Sequence, residues 1–363
     1  MEAKQDPETA ESREPMIDLA IYEPSQDLSA HPAARAWSKL QGRAAKPCGI
    51  DVLRPPRQEG YKSCTFRVCG LDRKGPSIVA KLCQKEIAAV ERLIYETILP
   101  ELPLPKLGYY GTIASDDPEM DWVFIEDAGE VRYLRELEGH RHVAAEWIAT
   151  LHMSAQNLPG LKQLPDRGPA HYLNHLRSGR ERIKASHSNP VLTRDQRAVL
   201  DRVESHLQRF EASWNELERS CEVMPSTLVH GDLAGRNARL RGNGNRRRLV
   251  VFDWETAGRG VPAIDLASSR IYASSCCLKE YFSRVRSTWP NLTMDDTIQM
   301  ATVGRIFRVI AAIDWAALNL AFQVADWLIM PISEMESYLG RIDHVLRDSV
   351  WAHSWGGQAG TPH

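Results

Sequence analysis

Asp232 and Asn237, five residues apart in LVHGDLAGRNARL (228–240), follow directly on an apolar run. A second aspartate, Asp253, ends another such run in LVVFDWE (249–255). Asp and Asn often bond their own backbone in turns, and the first loop by itself is compatible with turn capping. Taken together the two segments offer a different chemistry. Oxygen-only donors suit Mg2+, which keeps several waters and takes one or two protein carboxylates plus phosphate oxygens. Asn237 and Asp253 can supply that incomplete shell, leaving Asp232 to accept a proton from, or orient, an attacking hydroxyl. Phosphoryl transfer asks for little more, because its catalysis is mostly positioning and charge neutralisation.

The first third of the chain holds the complementary parts. VAKL (79–82) puts Lys81 in the middle of a strand pattern, where an ammonium can reach nucleotide phosphates. A lysine among apolar residues needs a partner. Glu91 on the following helical segment is a candidate, and Glu86 and Glu96 compete for the role. EGYKSCTFRV (59–68) carries the glycine, Ser63 and Thr65 of a turn whose backbone can cover phosphates, without the full G-x-G-x-x-G pattern. GLDRKGPS (70–77) begins like a Walker A loop, but Pro76 stands where the lysine belongs and the segment joins two strands, so it reads as a hairpin.

These residues must be carried by particular elements. SCTFRVCG and SIVAKLC are short and β-branched, KEIAAVERLIYETIL (85–99) has apolar residues at helical spacing, and KLGYYGTIAS and DWVFIEDAG read as two further strands. A helix is expected near 32–43. From about residue 132 the pattern is helical, interrupted only over 226–255 by short strands and loops. RGNGNRRR (241–248) has the glycines and asparagines of a solvated hairpin turn. The apolar stretch 306–330 is broken by Arg308, Asp314 and Asp326, which suits a buried helix or helix pair rather than a membrane span. Trp289, Trp315 and Trp327 read as core, since nothing polar converges on them in sequence. His152 reads as a satisfied core histidine.

The order of a strand lysine, a helix glutamate, H-G-D-x-x-x-x-N and a hydrophobic strand ending in Asp resembles the protein-kinase signature set. With HGD, FDWE, PAIDLA, FIEDAG and IATLHMSA, the region from roughly Gly60 to Leu266 resembles the aminoglycoside phosphotransferase and choline-kinase-like family. That resemblance implies an α+β, two-lobed, protein-kinase-like fold with a small β-rich N-lobe and a larger helical C-lobe. The boundaries expected are a disordered tail over 1–30, a nucleotide-binding lobe over 31–126 and a catalytic and substrate lobe over 127–355. By the same resemblance Asp232 is the catalytic base, Asn237 and Asp253 hold Mg2+, and Lys81, paired with Glu91, contacts the phosphates. The backbone of Phe124, Ile125 and Glu126 would meet the adenine edge, with Ser63 in the phosphate-covering turn. His230 would brace the catalytic loop and Asp265 would hydrogen-bond it.

The implied activity moves the γ-phosphate of ATP or GTP to a hydroxyl of a small molecule, an antibiotic such as an aminoglycoside or a metabolite. The alternative is a catalytically weak, kinase-like ligand- or nucleotide-binding protein. Two residues depart from the family pattern. Arg236 beside Asn237 either contacts a phosphate or acidic substrate or points to solvent. Arg239, where an apolar residue commonly lies under adenine, either packs its stem on the base, marks a shifted register or alters nucleotide preference.

Composition narrows the partners. The 363 residues include 45 Lys and Arg against 47 Asp and Glu, a formal charge of −2, so no bulk field favours nucleic acid or an anionic membrane. Seven scattered cysteines, two of them adjacent at Cys276 and Cys277, fit neither a disulfide framework nor a zinc site. With a charged start lacking an apolar h-region, they point to the reducing cytoplasm. Oligomeric state leaves no sequence signature.

Overall fold

The computed structural model describes residues 27–54, 63–71, 77–134, 136–222, 224–268 and 275–347. Most of the tail expected over 1–30 and residues 59–62 of the phosphate-covering turn lie outside these, as do residues 72–76 between two of the strands. The chain divides into two compact units. One takes the residues up to Arg92 with Leu107–Asp127, and the other takes Leu93–Lys106 with everything from Ala128 onward. The segment 93–106 thus groups with the later residues rather than with the N-terminal part.

The first unit comprises helix α1 (Pro32–Gln41), strands β1 (Gly49–Arg54), β2 (Ser63–Cys69) and β3 (Ile78–Gln84), helix α2 (Lys85–Leu93), and strands β4 (Tyr109–Ala114) and β5 (Met120–Glu126). The strands form one antiparallel sheet in the order β1-β2-β3-β5-β4. Alternation sets its two faces, because successive strand side chains point to opposite sides. Cys64, Phe66 and Val68, then Ile78, Ala80 and Leu82, then Met120, Trp122 and Phe124 make one apolar face, covered by Trp37 of α1. Phe66, Ala80 and Phe124 stand in cross-strand register. The intervening positions Thr65, Lys81 and Val123 are likewise in register, so Lys81 occupies the face opposite α1. His31 and Pro32 start α1 as side-chain cap and first-turn proline, and Gly42 ends it in the left-handed region.

In the second unit the chain beyond α2 makes a π-helical turn at Ile94–Ile98 and a 3-10 turn at Leu99–Glu101. There follow α3 (Glu138–Ala155), β6 (Asp166–Arg167), α4 (Pro169–Ser186), α5 (Arg194–Ala212), α6 (Trp214–Glu222), β7 (Thr227–Val229), β8 (Ala238–Arg241), β9 (Arg248–Val251) and β10 (Gly258–Gly260). Helices α7 (Ala263–Ser268), α8 (Ser275–Val285), α9 (Met294–Ala317) and α10 (Ala325–Arg347) complete it. Strands β6, β10 and β7 form a small sheet, and β8 pairs with β9 as a hairpin across the expected turn.

Helix α9 is buried almost all round, from Thr297 through Phe307 to Ala317, as expected of a helix without a polar face. It packs against α4, α7 and α10. Its approach to α7 depends on Gly304. A Cβ there would stand 1.8 Å from the Ala263 carbonyl oxygen, so only a glycine lets the two backbones meet. The stretch 306–330 is a helix pair, α9 and α10 joined by a 3-10 turn at Leu318–Ala321. Trp327 is not core: it is 42% exposed. Trp315 is half-buried and has polar neighbours, described below.

Candidate active site

In the first unit Lys81 and Glu91 form a buried ion pair, Nζ to Oε1 at 2.6 Å. The choice among three glutamates follows from helix geometry. Glu91 falls three residues after buried Ala88 and three before buried Ile94, whereas Glu86 and Glu96 are exposed. Ser63 lies in the first position of β2 rather than in a turn, and its hydroxyl accepts from Arg54 Nη1 at 3.1 Å. Phe124 and Ile125 are ladder residues of β5. The Glu126 N–H donates to the Gly108 carbonyl at 2.7 Å, and its carboxylate accepts from Gly108 N–H at 2.9 Å. That N–H is therefore already committed to the protein rather than presented to an adenine edge.

In the second unit the loop after β7 is built around Asp265, at the start of α7. One Asp265 oxygen accepts from His230 N–H at 2.8 Å, the other from Gly231 N–H at 2.9 Å. His152 Nε2 lies 3.2 Å from the same carboxylate, and its Nδ1 lies 2.9 Å from the Tyr281 hydroxyl. Burial holds the Tyr281 phenol well above its ordinary pKa, assisted by the negative charge of Asp265. The His230 side chain reaches Phe252 O from Nε2 and the Asp232 N–H from Nδ1, tying the loop to the end of β9. Gly231 is required by its φ of +79° and by the Thr256 carbonyl, which a Cβ would meet at 2.6 Å.

Asp232, Asn237 and Asp253 are brought together by the β8–β9 hairpin. Ala238 pairs with Val251, and Phe252 N–H donates to the Asn237 carbonyl at 3.1 Å, so Asn237 and Asp253 flank one end of the ladder. Asn237 Nδ2 donates to the Asp232 carbonyl at 2.9 Å and approaches Asp232 Oδ2 at 3.3 Å. Asp253 has φ of 67°, and among the described residues it is the non-glycine residue in the left-handed region. Such a conformation is sustained only where the surroundings determine it. A carboxylate oxygen of Glu255, unremarked in the sequence, lies within 4.8 Å of one on Asp253. With the Asn237 amide these are hard oxygen donors of the kind Mg2+ takes.

Both uncertain arginines have definite places. Arg236 does not simply point to solvent: its guanidinium pairs with Asp232 Oδ2. Arg239 donates to the carbonyls of Gly129, Arg236 and Ala238 and lies over the Phe252 ring at 5.2 Å. Arg308 of α9 was absent from the expected site, yet its Nη2 binds Asp232 Oδ1 at 2.5 Å. The sequence did carry a signal, a lone cation in an apolar helix, which must find a partner.

The model of the phosphotransferase enzyme family matches residues 72–276. No curated protein matches the chain significantly. Among solved structures, a spectinomycin phosphotransferase complexed with ADP and spectinomycin superposes with a TM-score of 0.55 at 13% identity, covering 82% of this chain and 90% of that one. The Plasmodium vivax ethanolamine kinase gives 0.55 at 14% identity, covering 83% and 86%. A macrolide 2'-phosphotransferase gives 0.54 at 16% identity, covering 83% and 94%. At such identities the likeness establishes a kinase-like, mixed α+β fold.

Proposed function

The chain belongs to the phosphotransferase enzyme family, and from its catalytic loop we propose that it transfers the γ-phosphate of ATP or GTP, with Mg2+, to a hydroxyl of a small molecule. Small-molecule phosphotransfer is the activity of the family; donor, metal and acceptor are our reading. The observation that carries it is the arrangement of Asp232, Asn237 and Asp253 around one hairpin end. In this reading the acceptor oxygen bonds to the γ-phosphorus as the bond to the β,γ-bridging oxygen breaks. The hydroxyl proton passes to Asp232, and the nucleoside diphosphate leaves with the electron pair.

Asn237 and Asp253 would hold Mg2+, with Glu255 beside them, and the ion when bound would neutralise phosphate charge. Lys81, oriented by Glu91, would contact the nucleotide phosphates. Asp265 and His230 position the loop, so that Asp232 is not left to seek its geometry during the reaction. A reducing, cytoplasmic setting is supported by Cys48, Cys64, Cys69, Cys83 and Cys221, all free thiols. Among the described residues no helix is long and apolar enough to cross a membrane.

A second reading, a kinase-like binding protein with weak catalysis, draws on the two arginines that engage both oxygens of Asp232. One experiment separates the two. Acceptor-dependent formation of nucleoside diphosphate is measured with Mg-ATP and Mg-GTP over a panel of hydroxylated molecules, for the wild type and Asp232→Asn. Transfer that falls at least a hundredfold in the variant supports the enzyme. Nucleotide binding without transfer in either protein favours the binding module.

A further inference from the structure

The surroundings of Asp232 carry a charge preference. Its carboxylate receives Arg236 on one oxygen and Arg308 on the other, so one negative charge faces two positive ones. Arg308 is held from outside the loop, on α9. Its guanidinium lies over the Trp315 ring at 5.2 Å, two helical turns further along the same helix. Its Nη2 is spent on Asp232, but its Nη1 is buried and has no hydrogen-bond partner among the described residues. A buried charged N–H without an acceptor is costly, and a ligand oxygen would remove that cost.

Asp314, next to Trp315 in sequence, is already engaged by Arg182 and by His175 Nδ1 at 2.7 Å. The His175 ring stands edge-on to Trp315 at 6.0 Å, and its Nε2 meets His171 Nε2 at 3.2 Å. Arg167 lies beside His171 in turn. Around Trp315, α4 and α9 therefore bring together a guanidinium with an unsatisfied N–H, an aromatic ring and imidazoles, and the carboxylate among them is taken.

We propose that Arg308 and Trp315 form an anion subsite, and that the acceptor is a hydroxylated carboxylate whose carboxyl group is bound by Arg308 Nη1 beside the base. The guanidinium then bridges two carboxylates, that of Asp232 through Nη2 and that of the ligand through Nη1, as its several N–H donors allow. Bridging keeps the anion next to Asp232, which places the reacting hydroxyl on a carbon close to the carboxyl carbon. A polycationic acceptor would meet Arg236 and Arg308 instead of a free acid. The assignment of the reacting hydroxyl rests on the reading of Asp232 as proton acceptor; the anion subsite itself does not.

The test uses two charge series on matched backbones: glycerate, glycerol and 3-amino-1,2-propanediol, and gluconate, sorbitol and glucamine. Thermal shifts of the full chain with Mg-ATP are read for the wild type, Arg308→Gln and Arg308→Lys. A carboxylate member should stabilise the wild type while its neutral and cationic counterparts do not. Its apparent affinity should fall about tenfold or more in Arg308→Gln, the usual scale of a lost charged hydrogen bond, and only partly recover in Arg308→Lys. No carboxylate-dependent shift in the wild type overturns the proposal, and so does preferential stabilisation by the amines or an undiminished shift in Arg308→Gln. The wild-type comparison stands by itself if the variants melt without cooperativity. Phosphate transfer to an amine overturns the subsite and leaves the phosphotransferase reading intact. Carboxylate binding lost in Arg308→Gln, without transfer to any acceptor, supports the subsite and overturns that reading.

Discussion

His152 Nε2 lies 3.2 Å from the Asp265 carboxylate although 113 residues separate them, and neither side chain has any solvent exposure. Asp265 thus spends its oxygens on a buried histidine and on the backbone N–H groups of His230 and Gly231, immediately before Asp232. The loop that carries Asp232 is positioned by a helix start rather than by its own turn alone.

Asp265→Asn tests that support. The amide has the shape of the acid but a single acceptor oxygen for two N–H groups, and leaving one buried donor unsatisfied costs roughly 1–3 kcal/mol. The variant should melt at lower temperature. Phosphate transfer should fall further than the loss of folded protein explains, measured at a temperature where both proteins remain folded.

The Lys81–Glu91 pair should behave as a buried ion pair. Glu91→Ala removes the buried partner of the ammonium and should destabilise the protein by about 3–5 kcal/mol in urea unfolding. Lys81→Met together with Glu91→Leu should regain much of that stability. Neither protein should show the nucleotide-induced thermal shift of the wild type.

Two glycine substitutions should move stability in opposite directions. Gly304→Ala drives a Cβ to within 1.8 Å of the Ala263 carbonyl oxygen and should cost about 1–3 kcal/mol or more as α7 and α9 separate. Gly340→Ala in α10 meets nothing within 4 Å and should stabilise by up to about 1 kcal/mol, the helix-propensity difference. Thermal unfolding of both variants in parallel provides the check.

Acid sensitivity should trace in part to His171. Burial first, then the positive charges of Arg167 and His175, lower its pKa from 6.5 to about 3, against opposing effects of Asp166 and Asp314. Between those values the unfolded chain binds a proton at this position that the folded chain does not. The stability it contributes is complete above about pH 6.5 and declines as pH falls towards 3. His171→Gln should flatten the fall of melting temperature across that window and leave the profile above pH 7 unchanged in slope.

Much of the local structure was legible in the chain itself. Period-2 alternation in β2, β3 and β5 identifies the sheet's apolar face and puts Lys81 on the other one, because side-chain direction in a strand follows position alone. The turn residues of 241–248 identify the β8–β9 hairpin, and the hairpin suffices to bring Asn237 to Asp253. Helical spacing also contained the choice of Glu91, through buried Ala88 and Ile94 on either side.

What reached Asp232 from a distance was not legible. Arg308 stands 76 residues away and registered in sequence only as a charge interrupting an apolar run. Trp315 counted as core because its polar neighbours, Arg308 and His175, come from two helices. Ser63 counted as a turn residue, although the strand begins with it. Residue type and spacing determined which groups can do chemistry and on which face of a local element each one sits, since those follow from backbone dihedrals. Tertiary structure alone decided which distant cation closes on Asp232 and that His152 shares the Asp265 carboxylate. Those pairings depend on how α7 and α9 pack at Gly304, and no local periodicity records a contact between helices forty residues apart in the chain.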